Sequence, residues 1–153
     1  MVLLVRLRPV AVDTVQARGH DLVTLRHPTT LELTKDDDMT KRGDCIMAVG
    51  ASKSAHELNP ALKSALNDGA RLLIRIECGG LNETVQASGS ERMTFSDNAS
   101  IVVRKSSYLD GRTVGILADK AARDINRELA SMLREKGNSV LIRLEAYVGD
   151  KAL

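Results

Sequence analysis

The chain has no tryptophan, one phenylalanine (Phe95) and two tyrosines (Tyr108 and Tyr147) among its 153 residues. Proteins that grip single-stranded nucleic acid stack its bases on aromatic rings, so that mode is disfavoured. Cysteine is nearly as scarce. Cys45 and Cys78 stand alone with no C-x-x-C spacing, which argues against a zinc ribbon or disulfide scaffold and fits a reducing compartment. No long apolar run is present either. The opening stretch MVLLVRLRPV is interrupted by Arg6 and again by Arg8, too soon for a signal h-region or a membrane span. A cytoplasmic protein with no membrane partner is expected. Walker A, G-x-G-x-x-G and G-x-S-x-G are all missing, which withdraws support from nucleotide hydrolysis, dinucleotide binding and α/β-hydrolase chemistry. The formal charge of +2 is small for a dedicated nucleic-acid binder.

What the chain does contain, it contains twice. DTVQARG (Asp13 to Gly19) recurs as ETVQASG (Glu83 to Gly89), seventy positions on. The same offset lays HDLVTLRHPTTLELTK over SERMTFSDNASIVVRK, ending with Lys35 on Lys105. After a two-residue shift Gly43 meets Gly111 and Cys45 faces Thr113. LLIRIE (Leu72 to Glu77) then matches VLIRLE (Val140 to Glu145), and LLVRLR (Leu3 to Arg8) is a third echo. A colinear match of this length points to a repeated unit.

Each unit reads as strands followed by one helix. LLIRIE sets Leu72, Ile74 and Ile76 on one face and Leu73 with Arg75 on the other, the period of a half-buried strand. CGGLNE joins it to ETVQASG as a hairpin. Leu31 and Leu33, and Ile101 and Val103, alternate with polar neighbours. DCIMAV and RTVGIL are apolar on both faces, as central strands would be. In the second unit Asp119 is the expected N-cap of a helix whose face is Ala122, Ile125, Leu129, Met132 and Leu133. In the first, the same stripe is Ala55, Leu58, Leu62, Ala65 and Leu66, and Asn59–Pro60 suggests a short turn followed by a helix capped by Asn59 with Pro60 at its first position. The expectation is one α+β domain over 1–153, of two tandem copies at roughly 3–70 and 72–138 closed by a strand over 139–148. About ten strands and two helices would be arranged with pseudo-two-fold symmetry, as a closed barrel or as packed sheets.

The runs GHDLVTLRHPTTLELTKDDDMTKRGDCI and VVRKSSYLDGRTVGILADKAARDINREL resemble the archaeal family known as domain of unknown function 371, and the likeness spans nearly the whole chain. It implies an archaeal source and brings no catalytic residues with it. The Arg42–Asp44 turn is also similar to the glycine-aspartate turn of cradle-loop barrels, which are built from paired β-rich units.

A repeat offers an internal control, because a residue needed only for folding tends to keep a similar partner in the other copy. His20 faces Ser90, His27 faces Asp97, Glu32 faces Val102, and Asp36 to Asp38 face Ser106 to Tyr108. Imidazole, carboxylate and thiolate are common divalent-metal ligands and proton carriers. His20, His27, Glu32 and Asp44 are therefore the candidate catalytic set for a metal-assisted hydrolase, with Cys45 nearby. Scaffold roles stand beside that reading: loop shaping for the histidines, core filling for Cys45, a polar outer face for Glu32. A second set is basic: Lys35, Arg42, Arg104, Lys105, Arg112 and Lys120, of which Lys35/Lys105 and Lys53/Lys120 recur in both copies. These suit an anionic ligand, a nucleotide or RNA segment, at the seam between copies, or else a solvated surface. A third reading is a homo-oligomer that pairs an exposed LLVRLR or VLIRLE edge.

Overall fold

The computed structural model describes residues 8–148. Eight strands run in chain order as β1 (Ala11–Arg18), β2 (Thr30–Thr34), β3 (Ile46–Ala48), β4 (Arg71–Cys78), β5 (Leu81–Ser88), β6 (Ser100–Arg104), β7 (Thr113–Gly115) and β8 (Ser139–Tyr147). Helices α1 (Pro60–Asn67) and α2 (Arg127–Leu133) precede β4 and β8. The chain is α+β as expected, and the described residues hold eight strands where about ten were anticipated for the whole chain. The runs anticipated as strands within the described residues do form strands, and most of LLVRLR lies outside those residues.

The strands form two four-stranded sheets. The first is antiparallel throughout, in the order β1-β8-β4-β5. The second has the order β3-β2-β6-β7, with β2 and β6 antiparallel at its centre and a parallel strand outside each. Single antiparallel bridges, Arg18 to Val49 and Ser88 to Ile116, tie the edges of one sheet to those of the other. Ile74, Ile142 and Leu144 of the first sheet meet Leu31, Leu33, Ile101 and Val103 of the second in one continuous core. Each such fully buried aliphatic side chain is worth about 2 kcal/mol of transfer free energy.

Local chemistry explains the element ends. The β4–β5 hairpin turns on Gly79 and Gly80 with φ of 60° and 81°, the double positive φ of the two-residue turn that matches strand twist. Helix α1 starts where expected: Asn59 Oδ1 accepts the Leu62 N–H at 2.8 Å, and Leu62 and Leu66, one turn apart, are fully buried. Gly19 and Gly89 follow β1 and β5 at points where a Cβ would strike the backbone carbonyls of Glu135 and Leu66.

Three expectations need correction. Helix α2 begins at Arg127 under an Asn126 cap, whose Oδ1 accepts from Glu128 and Leu129 N–H at 2.8 and 3.2 Å. Asp119 does not cap it, because its carboxylate accepts the Gln86 N–H of β5 at 2.9 Å. β3 and β7 are short edge strands of the second sheet rather than central ones. They are apolar on both sides because the chain past each, at Val49 and Ile116, crosses to the first sheet. Finally, VLIRLE lies in β8, which is flanked by β1 and β4 and so offers no free edge for pairing between subunits.

Candidate functional site

Both candidate histidines hold backbone turns. His20 is buried, and its Nδ1 accepts the Leu22 N–H at 3.0 Å while Nε2 meets Asp38 Oδ1 at 3.1 Å. Ser90, its sequence counterpart, accepts the Arg92 N–H at 3.2 Å through Oγ. His27 Nδ1 accepts from Thr29 and Thr30 N–H at 3.2 and 3.1 Å. Local side-chain acceptors of this kind compete well for turn amides. Among the described residues no three His, Cys, Asp or Glu side chains are grouped to hold a metal ion.

Glu32 and Cys45 are brought together. The Cys45 thiol donates to Glu32 Oε1 at 3.3 Å. Burial, then the Glu32 and Asp44 carboxylates, push that thiol up to about 12, which leaves it protonated and unreactive near neutrality. Asp44 uses its carbonyl to accept Arg26 and His27 N–H at 2.9 and 3.2 Å. The strand register also revises one pairing. Glu32 N–H donates to Cys45 O and Val102 N–H donates to Arg112 O, each at 2.8 Å, so Arg112 and not Thr113 stands where Cys45 does. The loop leaving β6 is shorter than the sequence match implied.

The basic set is mostly engaged. Lys35 pairs with Glu57 at 2.7 Å and Lys105 with Asp124 at 3.1 Å. Lys53 pairs with Asp13 and Lys120 with Glu83, both at 2.7 Å. Those two carboxylates also receive the backbone N–H of the helix caps, Asn59 at 2.8 Å and Asn126 at 3.1 Å. Burial works to raise the Glu83 carboxyl, and the Lys120 and Asn126 hydrogen bonds outweigh it and leave it lowered. Arg104 and Arg112 share Asp110 Oδ2, each at 2.9 Å, and Arg104 also stacks over Tyr108. Arg42 is exposed, and its backbone N–H donates to Thr40 Oγ1.

A different pair of arginines occupies the open face of the first sheet. Arg75 of β4 and Arg143 of β8 are direct register partners, each with a side chain 46% exposed. Like charges opposite one another across strands are destabilising. One carboxylate answers both. Glu145, with a side chain only 6% exposed, takes the Nε of Arg75 at 3.2 Å, the Nε of Arg143, and the Tyr147 hydroxyl at 2.8 Å. Burial works to raise the Glu145 carboxyl, and Arg143, Tyr147 and Arg75 together keep it lowered. Both guanidiniums line a pocket of about 350 Å³ with Thr14, Glu77, Asn82, Glu83, Thr84 and Leu141. Sequence reasoning passed over this pair, although arginine is kept at the same place in LLIRIE and VLIRLE. Period-2 patterning says which face a residue takes but not which strand lies opposite.

The fold thus defines an α+β domain of two edge-tied sheets, one of which presents a charged open face. Residues 15–147 match the family described as Domain of unknown function (DUF371), and the chain belongs to that family. It is 35% identical over 130 residues to an uncharacterised protein of Methanocaldococcus jannaschii, covering 85% of this chain and 96% of that one. No helix among the described residues is long and apolar enough to cross a membrane.

Proposed function

We propose that the chain is a binding module for an anionic ligand, held at the seam between two copies of one β-rich unit, roughly 3–70 and 72–138, with 139–148 as the closing strand. Matching contacts support the two-copy reading. Asp13–Lys53–Asn59 repeats as Glu83–Lys120–Asn126, and Lys35–Glu57 as Lys105–Asp124. Even unfavourable backbone recurs: Leu25 and Phe95 have φ of 50° and 47°, a region that costs a non-glycine residue free energy. In this reading the seam runs between β4 and β8 in one sheet and between β2 and β6 in the other.

The observation that carries the anion reading is Arg75 facing Arg143 with one carboxylate between them. Arg75, Arg143 and Glu145 together carry one net positive charge, with both arginine side chains 46% exposed and with Glu77 and the Lys120-paired Glu83 in the same lining. An anionic ligand touching both guanidiniums relieves their mutual repulsion. The recurring lysines stabilise the fold instead, through their own carboxylates. Metal-assisted hydrolysis at His20, His27, Glu32 and Asp44 has less behind it, since both imidazoles already serve backbone amides through Nδ1.

Calorimetric titration with nucleotides and short RNA at low and high salt tests the proposal. Binding that weakens with salt and drops about tenfold in Arg143→Ala is expected. Salt-independent binding, or none, contradicts it.

A further inference from the structure

We infer that the ligand at Arg75 and Arg143 is a small phosphorylated polyol, a sugar carrying one phosphate group, and not a polynucleotide. This rests on the anion-site reading above and adds the class of ligand.

Charge around the site is arranged for a compact anion. Glu77 and Glu83 line the same pocket as the two arginines. On the neighbouring pocket, which shares Leu141, Arg18 is paired at 2.6 Å with the exposed Asp37. A long polyanion needs cations along its track, and here the two arginines are grouped at one point among carboxylates. The face also lacks a stacking platform. Tyr147 is 8% exposed and its hydroxyl is committed to Glu145, so bases would find no aromatic ring there.

The pocket fits one phosphate ester in both size and chemistry. Its volume of about 350 Å³ lies in the range of small-molecule sites. Glu145 takes the Nε edge of each guanidinium, which fixes both planes, and among the described residues the Arg143 Nη atoms donate to no acceptor. Two oriented guanidiniums suit the oxygens of a phosphate group. The rest of the lining suits hydroxyls. Thr14, Asn82 and Thr84 offer neutral donors and acceptors, and the exposed Glu77 carboxylate accepts from sugar O–H groups. Leu141 provides an apolar patch.

The test titrates the full chain with four probes: inorganic phosphate, ribose 5-phosphate, adenosine monophosphate and a short single-stranded RNA. Ribose 5-phosphate is expected to bind about tenfold more tightly than phosphate, with a logarithmic salt slope near one. Arg143→Ala should weaken it about tenfold and Arg143→Lys by less, because lysine keeps the charge and loses the fork. Circular dichroism establishes that the variants are folded, and Glu77→Gln, which weakens a hydroxyl acceptor and removes a charge that repels phosphate, should reduce the preference for ribose 5-phosphate over inorganic phosphate. If adenosine monophosphate binds like ribose 5-phosphate, the sugar phosphate is what is read. Tighter binding of RNA with a slope of several, lost in the arginine variants, overturns the small-ligand inference and leaves the anion site standing. Equal affinity for phosphate and ribose 5-phosphate removes the polyol part. No binding by any probe, or binding indifferent to Arg75→Ala and Arg143→Ala, overturns both.

Discussion

His27 and Asp97 do the same work with different chemistry. His27 Nδ1 accepts the N–H groups of Thr29 and Thr30 at 3.2 and 3.1 Å, and Asp97 Oδ2 accepts those of Ala99 and Ser100 at 3.0 and 2.7 Å. An imidazole that stands out in the sequence is, in the fold, one solution to a turn that a carboxylate solves equally well. His27→Asp is therefore expected to stay within about 0.5 kcal/mol of wild type in urea unfolding, and His27→Ala to lose about 1 kcal/mol. Equal losses for both would show that this imidazole does something an aspartate cannot.

The Glu83–Lys120 pair is partly buried, with side chains 16% and 30% exposed. Glu83, Asp110 and Glu145 all have carboxyls held below their ordinary values by cationic or hydrogen-bonding partners that outweigh burial. A lowered folded-state pKa gives stability that is fully present above the unfolded carboxylate value near pH 4, and is lost as pH falls through the folded value. Acid unfolding should thus steepen below about pH 4. Lys120→Met should cost about 2 kcal/mol at neutral pH and flatten that acid limb, because Glu83 loses the partner that lowered it. Thermal melts at a series of pH values read both effects.

Cys45 is set by its neighbours. With its thiol pushed up to about 12 by burial and by Glu32 and Asp44, alkylation by iodoacetamide should be slow near neutral pH and still rising in strong base. Glu32→Gln removes the nearer charge and should speed the reaction about tenfold in mild base. A fast reaction in wild type would point instead to a stabilised thiolate. Cys78, at 2% exposure, serves as the internal control for unfolding.

Glu145 is expected to matter more to the open face than either arginine. In Glu145→Gln the two guanidiniums face each other without a counter-charge, and a loss of about 2 kcal/mol in low-salt buffer follows. Added phosphate should return about half of it by binding where the carboxylate stood. Arg143→Ala removes the repulsion and should change stability by less than about 1 kcal/mol. The comparison needs only chemical denaturation with and without phosphate.

Much of the framework was legible in the sequence, and much of the chemistry was not. Strand faces, the Gly79–Gly80 hairpin and the Asn59–Pro60 helix start follow from local periodicity and turn preference, which act over a few residues. Lys53 and Lys120 stood out because they recur, but their partners Asp13 and Glu83 lie in strands some forty residues away, so the ion pair that each makes within the fold left no mark on the local sequence. Arg75 and Arg143 escaped notice for the opposite reason. On the polar side of a strand an arginine looks like a solvated residue, and only the β4–β8 register shows Arg75 facing Arg143. The Cys45 pairing was misplaced by one residue because loop lengths leave little mark on a sequence comparison.

The central claim is that Arg75 and Arg143 form one anion site. Nitrogen-detected NMR of arginine side chains during titration with inorganic phosphate examines it most directly. The Nε and Nη signals of Arg75 and Arg143 are predicted to move together along one binding curve, while those of Arg104 and Arg112, both held by Asp110, stay in place. Movement of the Asp110-bound pair instead, or a response spread evenly over all arginines, would contradict it.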